Sequence, residues 1–149
     1  NDIEIDVIKT SHDTDDSNGY ILNYDNKSIV YITDTGYINK KNHSKLIDKT
    51  VYIMESNHDI EMLMNGKYPY HLKQRVWSDK GHLSNKMSAE YLSNLIGDNT
   101  YAVILAHLSE INNKEELAVL EFNEKENNRR VEKLIIARQK EPTELIIVW

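Results

Sequence analysis

Three short apolar runs in this chain each stop at a side chain that can hold a metal ion or carry a proton. Ile29-Val30-Tyr31-Ile32 runs to Asp34, Val51-Tyr52-Ile53-Met54 to Glu55, and Ala102-Val103-Ile104-Leu105-Ala106 to His107. Short apolar runs bounded by turn-forming residues read as buried strands. Strand ends on a rigid sheet are where ligands and catalytic acids are held in place. Each residue taken singly also has a structural explanation. Asp34, followed by Thr35 and Gly36, suits a turn cap. A lone His at a strand end is more often a satisfied polar residue than a ligand. Together with His12 after the first strand and His82 in the loop KGHLSN, the set predicts a site along one rim of a sheet.

The rest of the pattern supplies that sheet and its cover. The opening run IEIDVI alternates with period two and predicts a first strand. GYILNY and SIVYIT predict the next two, joined by a hairpin turn at DNKS. NKKNHSKLID reads as a short polar helix or loop, and TVYIMES as a further strand. NHDIEMLMNG has helix grammar, with Asn57 as its cap and Gly66 just past its end. PYHLKQRVW places Pro69 at a helix N-terminus. SNKMSAEYLSNLIG starts at Ser84 or Asn85 and stops at Gly97. After the strand YAVILAH, NNKEELAVLEFNEKEN predicts an amphipathic helix capped by Asn112 or Asn113, and LIIARQ and ELIIVW predict two closing strands. The order is β-β-β-α-β-α-α-β-α-β-β, an α/β or α+β arrangement in one domain of 149 residues.

Several chemistries are excluded. There are no cysteines, hence no disulfide, thiolate metal site or Cys nucleophile. No apolar run approaches the roughly 18–20 residues of a membrane helix. Phosphate-cradling glycine motifs, the G-x-S-x-G elbow and H-E-x-x-H are all missing. The acidic stretch DTDD is no EF-hand loop, because Tyr24 stands at the twelfth position from Asp13, where a Glu is needed. The net charge of −6 counts against a protein that coats nucleic acid. It leaves room for a nuclease, since bound cations add local positive charge. What remains is an oxygen and nitrogen metal site of His and Asp, suited to zinc, manganese or iron.

The blocks SHDTDDSNGYILNYDNKSIVYITDTG, YIMESNHDIEML, KGHLSN and ILAHLSEINNKEELA resemble, in this order, the C-terminal half of a metallo-β-lactamase-fold hydrolase. The similarity spans residues 6–120 and points to the small bacterial YycJ/WalJ branch, related to phosphodiesterases and nucleases such as ribonuclease Z. It implies an αββα sandwich of which this chain supplies the second half, with two divalent metal ions, zinc or manganese, and a hydroxide bridging them. It implies His12 as ligand of the first metal, Asp34 as the aspartate shared by both, and His107 as ligand of the second. His82 resembles the histidine that contacts the scissile phosphate and acts as general acid. Asn57, His58, Ser84 and Asn85 would lie near the site or its substrate. Lys73 and Arg75 are candidates for flanking phosphates.

The family signature His-x-His-x-Asp-His is absent from these 149 residues. It is expected upstream of Asn1, in the half that supplies four of the seven usual ligands. The chain opens on Asn1 rather than Met, which predicts a processed, truncated or excised piece. The partners implied are that missing N-terminal half or a second copy, and a nucleic acid or other phosphodiester substrate, in the cytoplasm and away from any membrane. Two other readings compete. A truncated interaction module would bind no metal. A carbon-ester or thioester hydrolase on this fold typically lacks the GHLSN histidine.

Overall fold

In a computed structural model describing residues 2–148, the alternating opening run forms β1 (Glu4–Lys9), paired antiparallel with β2 (Asn18–Tyr24). Asp25 and Asn26 form a two-residue turn into β3 (Lys27–Ile32), and Asp25 takes the left-handed φ of 50° that such hairpins use. From β3 onward each strand runs parallel to the last: β4 (Val51–Glu55), β5 (Ala102–Ala106) and β6 (Lys133–Ile136). Parallel neighbours need crossovers, and helices supply them. The short α1 (His43–Leu46) joins β3 to β4. α2 (Ile60–Asn65), α3 (Tyr70–Val76) and α4 (Asn85–Leu95) lie between β4 and β5, and α5 (Glu115–Glu124) between β5 and β6. The result is one mixed sheet in the order β1-β2-β3-β4-β5-β6.

This topology puts four strand ends on one rim. β3, β4 and β5 are parallel, and β1, two antiparallel steps from β3, points the same way. Glu55 closes β4, and His12, Asp34 and His107 follow the ends of β1, β3 and β5, so these side chains share one rim.

The two faces of the sheet differ. On one, Ile8, Ile21, Val30, Ile32, Tyr52, Met54, Val103 and Leu105 pack under Leu46 of α1, Leu92 and Leu95 of α4, and Ala118 and Phe122 of α5. Tyr52 is fully buried there, and burial pushes its phenol up to about 12. Its hydroxyl bonds to the Leu46 and Leu95 carbonyls at 2.7 and 2.9 Å and accepts from the Lys49 N–H at 2.9 Å, which ties α1 to the end of α4. The opposite face carries Ile5, Val7, Tyr20, Leu22, Ile29, Tyr31 and Ile53, the alternate positions of the same strands. Ile5 is 59% exposed and Val7 57%.

Three expectations are corrected. Glu144–Val148 forms no strand; Ile146 and Val148 instead pack on the second face, over Val51, Ala102 and Ile104. Burying two apolar side chains on that face wins over pairing at the sheet edge. Trp149, the end of that expected strand, lies outside the described residues. Asn57 does not cap α2. Asp59 does, its Oδ1 accepting the Met62 N–H at 2.8 Å, and its carboxylate also suits the helix dipole. Neither Asn112 nor Asn113 caps α5, which starts after Lys114. Both are buried, and Asn113 donates through Nδ2 to the Ser56 and Asn57 carbonyls.

Candidate metal centre

Asp34 and His107 both sit at left-handed φ, 53° and 59°. Asp and His tolerate this region better than most residues. Each therefore ends its strand in a sharp bend at the rim of the sheet. Hydrogen bonds lock the bends. The Thr35 Oγ1 accepts from the Ser11 N–H at 2.9 Å, and the Gly36 N–H donates to the Ser11 carbonyl at 2.9 Å, which draws the His12 loop to Asp34. Gly36 is required by close approach: a Cβ there would come within 2.4 Å of the backbone of Ser78 and Asp79. That contact seats the loop carrying His82. The Asn57 Nδ2 donates to the His107 carbonyl at 2.9 Å and steadies the second bend.

Three imidazoles then converge on one oxygen. Asp34 Oδ1 lies 3.6 Å from His12 Nε2, 3.8 Å from His107 Nε2 and 3.9 Å from His82 Nδ1. The rings of His12 and His82 are 4.9 Å apart, and those of His82 and His107 5.3 Å. The Nδ1 atom of each ring is already engaged, which for His82 is also the atom nearest Asp34. His12 Nδ1 donates to the Gly81 carbonyl at 3.0 Å. His82 Nδ1 and His107 Nδ1 both donate to Glu55 Oε1, at 2.8 and 2.6 Å. Backbone or carboxylate bonds of this kind fix the tautomer of a ligating His and leave Nε2 as donor to a cation.

Glu55 organises this set, and the sequence reading gave it no role beyond that of a strand-end acid. Its side chain is fully buried, and its Oε2 accepts the N–H groups of Thr35 and Leu83, both at 3.1 Å. Burial alone would raise its carboxyl. The bonds from His107 and His82, the charge of His82 and the Thr35 N–H outweigh that and hold it at about 2. The bond to Glu55 likewise raises His107 against the opposing effect of burial. One donor atom from each of Asp34, Glu55, His82 and His107 lies within 4.8 Å of the others. Four N–H groups already occupy Glu55, so it braces the ligands rather than joining them. The sequence signalled only its place, as an acid ending an apolar strand on the rim that carries the histidines.

A pH dependence follows for the metal-stripped protein. The folded value of Glu55 is depressed, so its stabilisation is complete above the ordinary value of 4.5 and is lost as pH falls towards about 2. A shift of this size is worth on the order of 3 kcal/mol. Urea midpoints are expected to fall between pH 5 and 2, and to fall less steeply in Glu55→Gln. His107, raised, acts at the other end: its contribution is complete below 6.5 and is lost as pH climbs through its folded value.

The other expected residues fall into two groups. His12, Asp34, Asn57, His82 and His107 line one cavity of about 470 Å³, together with Tyr68. Ser84, Asn85 and His58 are buried away from it. Ser84 caps α4, and Asn85 bonds Ser56 and Asn113. Among the described residues His58 has no hydrogen-bond partner on either ring nitrogen, and burial pushes it down to about 4, which favours the neutral ring. Lys73 is turned to the Met64 carbonyl. Arg75 pairs with Asp13. The available donors, Asp34 with His12 Nε2 and His107 Nε2, are an oxygen and nitrogen set that fits zinc or manganese, one ligand short of the four of a closed zinc site.

No family model matches the chain. Over 117 residues, 78% of its length, it is 39% identical to "Exodeoxyribonuclease YycJ" of Bacillus anthracis and 42% identical to "Exodeoxyribonuclease WalJ" of Streptococcus pneumoniae strain D39. It spans 44% of the length of each of these relatives. Among solved structures, the metallo-beta-lactamase fold protein YhfI from Bacillus subtilis superposes with a TM-score of 0.65 at 16% identity, over 91% of this chain and 47% of that one. Human tRNase Z, short form, superposes with 0.54 at 15% identity, over 72% and 36%. The order of strands and these similarities agree: the chain has the metallo-β-lactamase fold and is similar over 78% of its length to the YycJ and WalJ exodeoxyribonucleases.

Proposed function

We propose that this chain is the C-terminal part of a metal-dependent phosphodiesterase of nuclease type, acting on DNA in the cytoplasm and active when joined to a half bearing His-x-His-x-Asp-His. The convergence of His12, His82 and His107 on Asp34 Oδ1 carries this reading. His12 Nε2 would serve one ion, His107 Nε2 the other, and the Asp34 carboxylate both. When bound, two divalent ions, zinc or manganese, supply Lewis-acid neutralisation of phosphate charge and activation of the attacking water. Glu55 keeps His82 in one orientation through Nδ1, which leaves His82 Nε2 to hold a proton and pass it to the leaving oxygen. The same carboxylate holds His107, so acid and ligand share one brace. The similarity to exodeoxyribonucleases supports a DNA substrate.

The test is hydrolysis by the chain extended upstream through its histidine motif. End-labelled DNA is expected to be cut in the presence of zinc or manganese, with p-nitrophenyl acetate turned over far more slowly. Preferred cleavage of the acetate or a thioester would favour a carbon-ester hydrolase. Failure to bind metal or cut either substrate would leave an interaction module.

A further inference from the structure

A second cavity opens beside the first and is used by none of the roles above. It has about 200 Å³ and is walled by Tyr68, Leu72 and Val76, with Arg75 and Lys80 also lining it. His12 and His82 border both spaces. We propose that this second cavity is a nucleobase subsite, with Tyr68 as the stacking surface for the base next to the cleaved phosphodiester. The inference rests on the phosphodiesterase reading and adds to it the part of the substrate that is gripped.

The chemistry of the walls carries the proposal. One aromatic and two aliphatic side chains suit the flat, apolar face of a base, and Lys80 suits a phosphate beside it, whereas Arg75 is paired with Asp13, which also lines the cavity. A net charge of −6 makes a local grip of this kind more useful than a broad basic surface. The subsite is also rigidly placed relative to the acid. The Val76 carbonyl at the end of α3 accepts the His82 N–H at 2.9 Å. Gly81 permits that approach: a Cβ there would come 2.1 Å from the Val76 carbonyl oxygen and 2.3 Å from that of Arg75. The helix that carries Leu72, Arg75 and Val76 is thus bonded to the residue that faces the phosphate. A base held against Tyr68 sets which phosphate meets His82.

The test uses the extended, metal-loaded protein and two DNA substrates that differ only in an abasic residue at the cleaved position. Stacking on an aromatic side chain is worth roughly 10- to 100-fold per base. Tyr68→Ala is therefore expected to lower the ratio of kcat/KM for base-bearing over abasic DNA by about that factor, mainly through KM. Tyr68→Phe should restore the ratio. Tyr70→Ala, on the exposed side of α3, should leave it unchanged. A second readout needs no turnover: deoxyadenosine 5′-monophosphate should bind more tightly than deoxyribose 5-phosphate, and Tyr68→Ala should remove the difference. Equal loss on both DNAs, or no preference for the nucleotide in the binding measurement, overturns the subsite. Absence of cleavage on either DNA, with the nucleotide still preferred, strikes the phosphodiesterase reading instead.

Discussion

His82→Ala, in the chain extended through its histidine motif, is expected to lower phosphodiester hydrolysis by roughly 10²–10⁴-fold, the range for loss of a general acid or base. Metal content should stay at the wild-type value. The reason lies in how the two nitrogens of His82 are used. Nδ1 is tied to Glu55, and the three groups assigned to the ions are His12, Asp34 and His107. Asp34→Ala should behave differently and lose both metal and activity, because its carboxylate lies at the centre of the three rings. Elemental analysis alongside kinetics separates the two variants. A metal-free His82→Ala protein would make His82 a ligand and reverse these assignments.

The second large effect concerns assembly. Ile5, Val7, Tyr20, Leu22, Ile29, Tyr31 and Ile53 lie on one sheet face, and a cavity lined by Ile5, Tyr20, Leu22, Ile29, Tyr31 and Ile53 marks its middle. Soluble monomers seldom expose contiguous apolar patches beyond a few hundred Å². At ~25 cal/mol per Å², each 100 Å² left wet forgoes about 2.5 kcal/mol. The segment 144–148 packs at the end over Val51, Ala102 and Ile104, next to Ile29 and Ile53, and leaves Ile5, Val7, Tyr20 and Tyr31 exposed. The purified 149-residue chain is therefore expected to associate at micromolar concentration, with a copy of itself or with the histidine-bearing half when that is supplied. Light scattering decides it. A stable monomer that binds no hydrophobic dye would mean that the strands bury one another and would count against an open half-sandwich.

Much of the sheet was legible because its strands are short, apolar and bounded by turn residues. Period-two alternation gave β1, a hairpin turn between two runs gave β2 and β3, and continuous apolar runs gave β4 and β5, whose buried faces need no polar alternation. The rim residues Asp34 and His107 were legible as the stopping points of those runs. The helix caps were harder, because Asn57, Asp59, Asn112 and Asn113 are all good caps locally. Which of them turns inward is decided by distant partners, the His107 carbonyl for Asn57 and the Ser56 carbonyl for Asn113. The closing segment misled for a related reason: Ile146 and Val148 satisfy a strand pattern, yet what they meet is the face of a sheet and no strand edge. The brace role of Glu55 was hidden because it depends on Thr35, Leu83 and two histidines from separate loops meeting one carboxylate.

Metal titration is the most direct test of a site split between this chain and an upstream half. Zinc or manganese is added by calorimetry to the isolated 149-residue chain and to the chain extended through its His-x-His-x-Asp-His segment. The isolated chain should bind weakly, since only His12, Asp34 and His107 are available as ligands, and Asp34→Ala should abolish that binding. The extended protein should take up two ions tightly. A tight two-ion site in the isolated chain, or none in the extended protein, would contradict the division of ligands on which the proposed function rests.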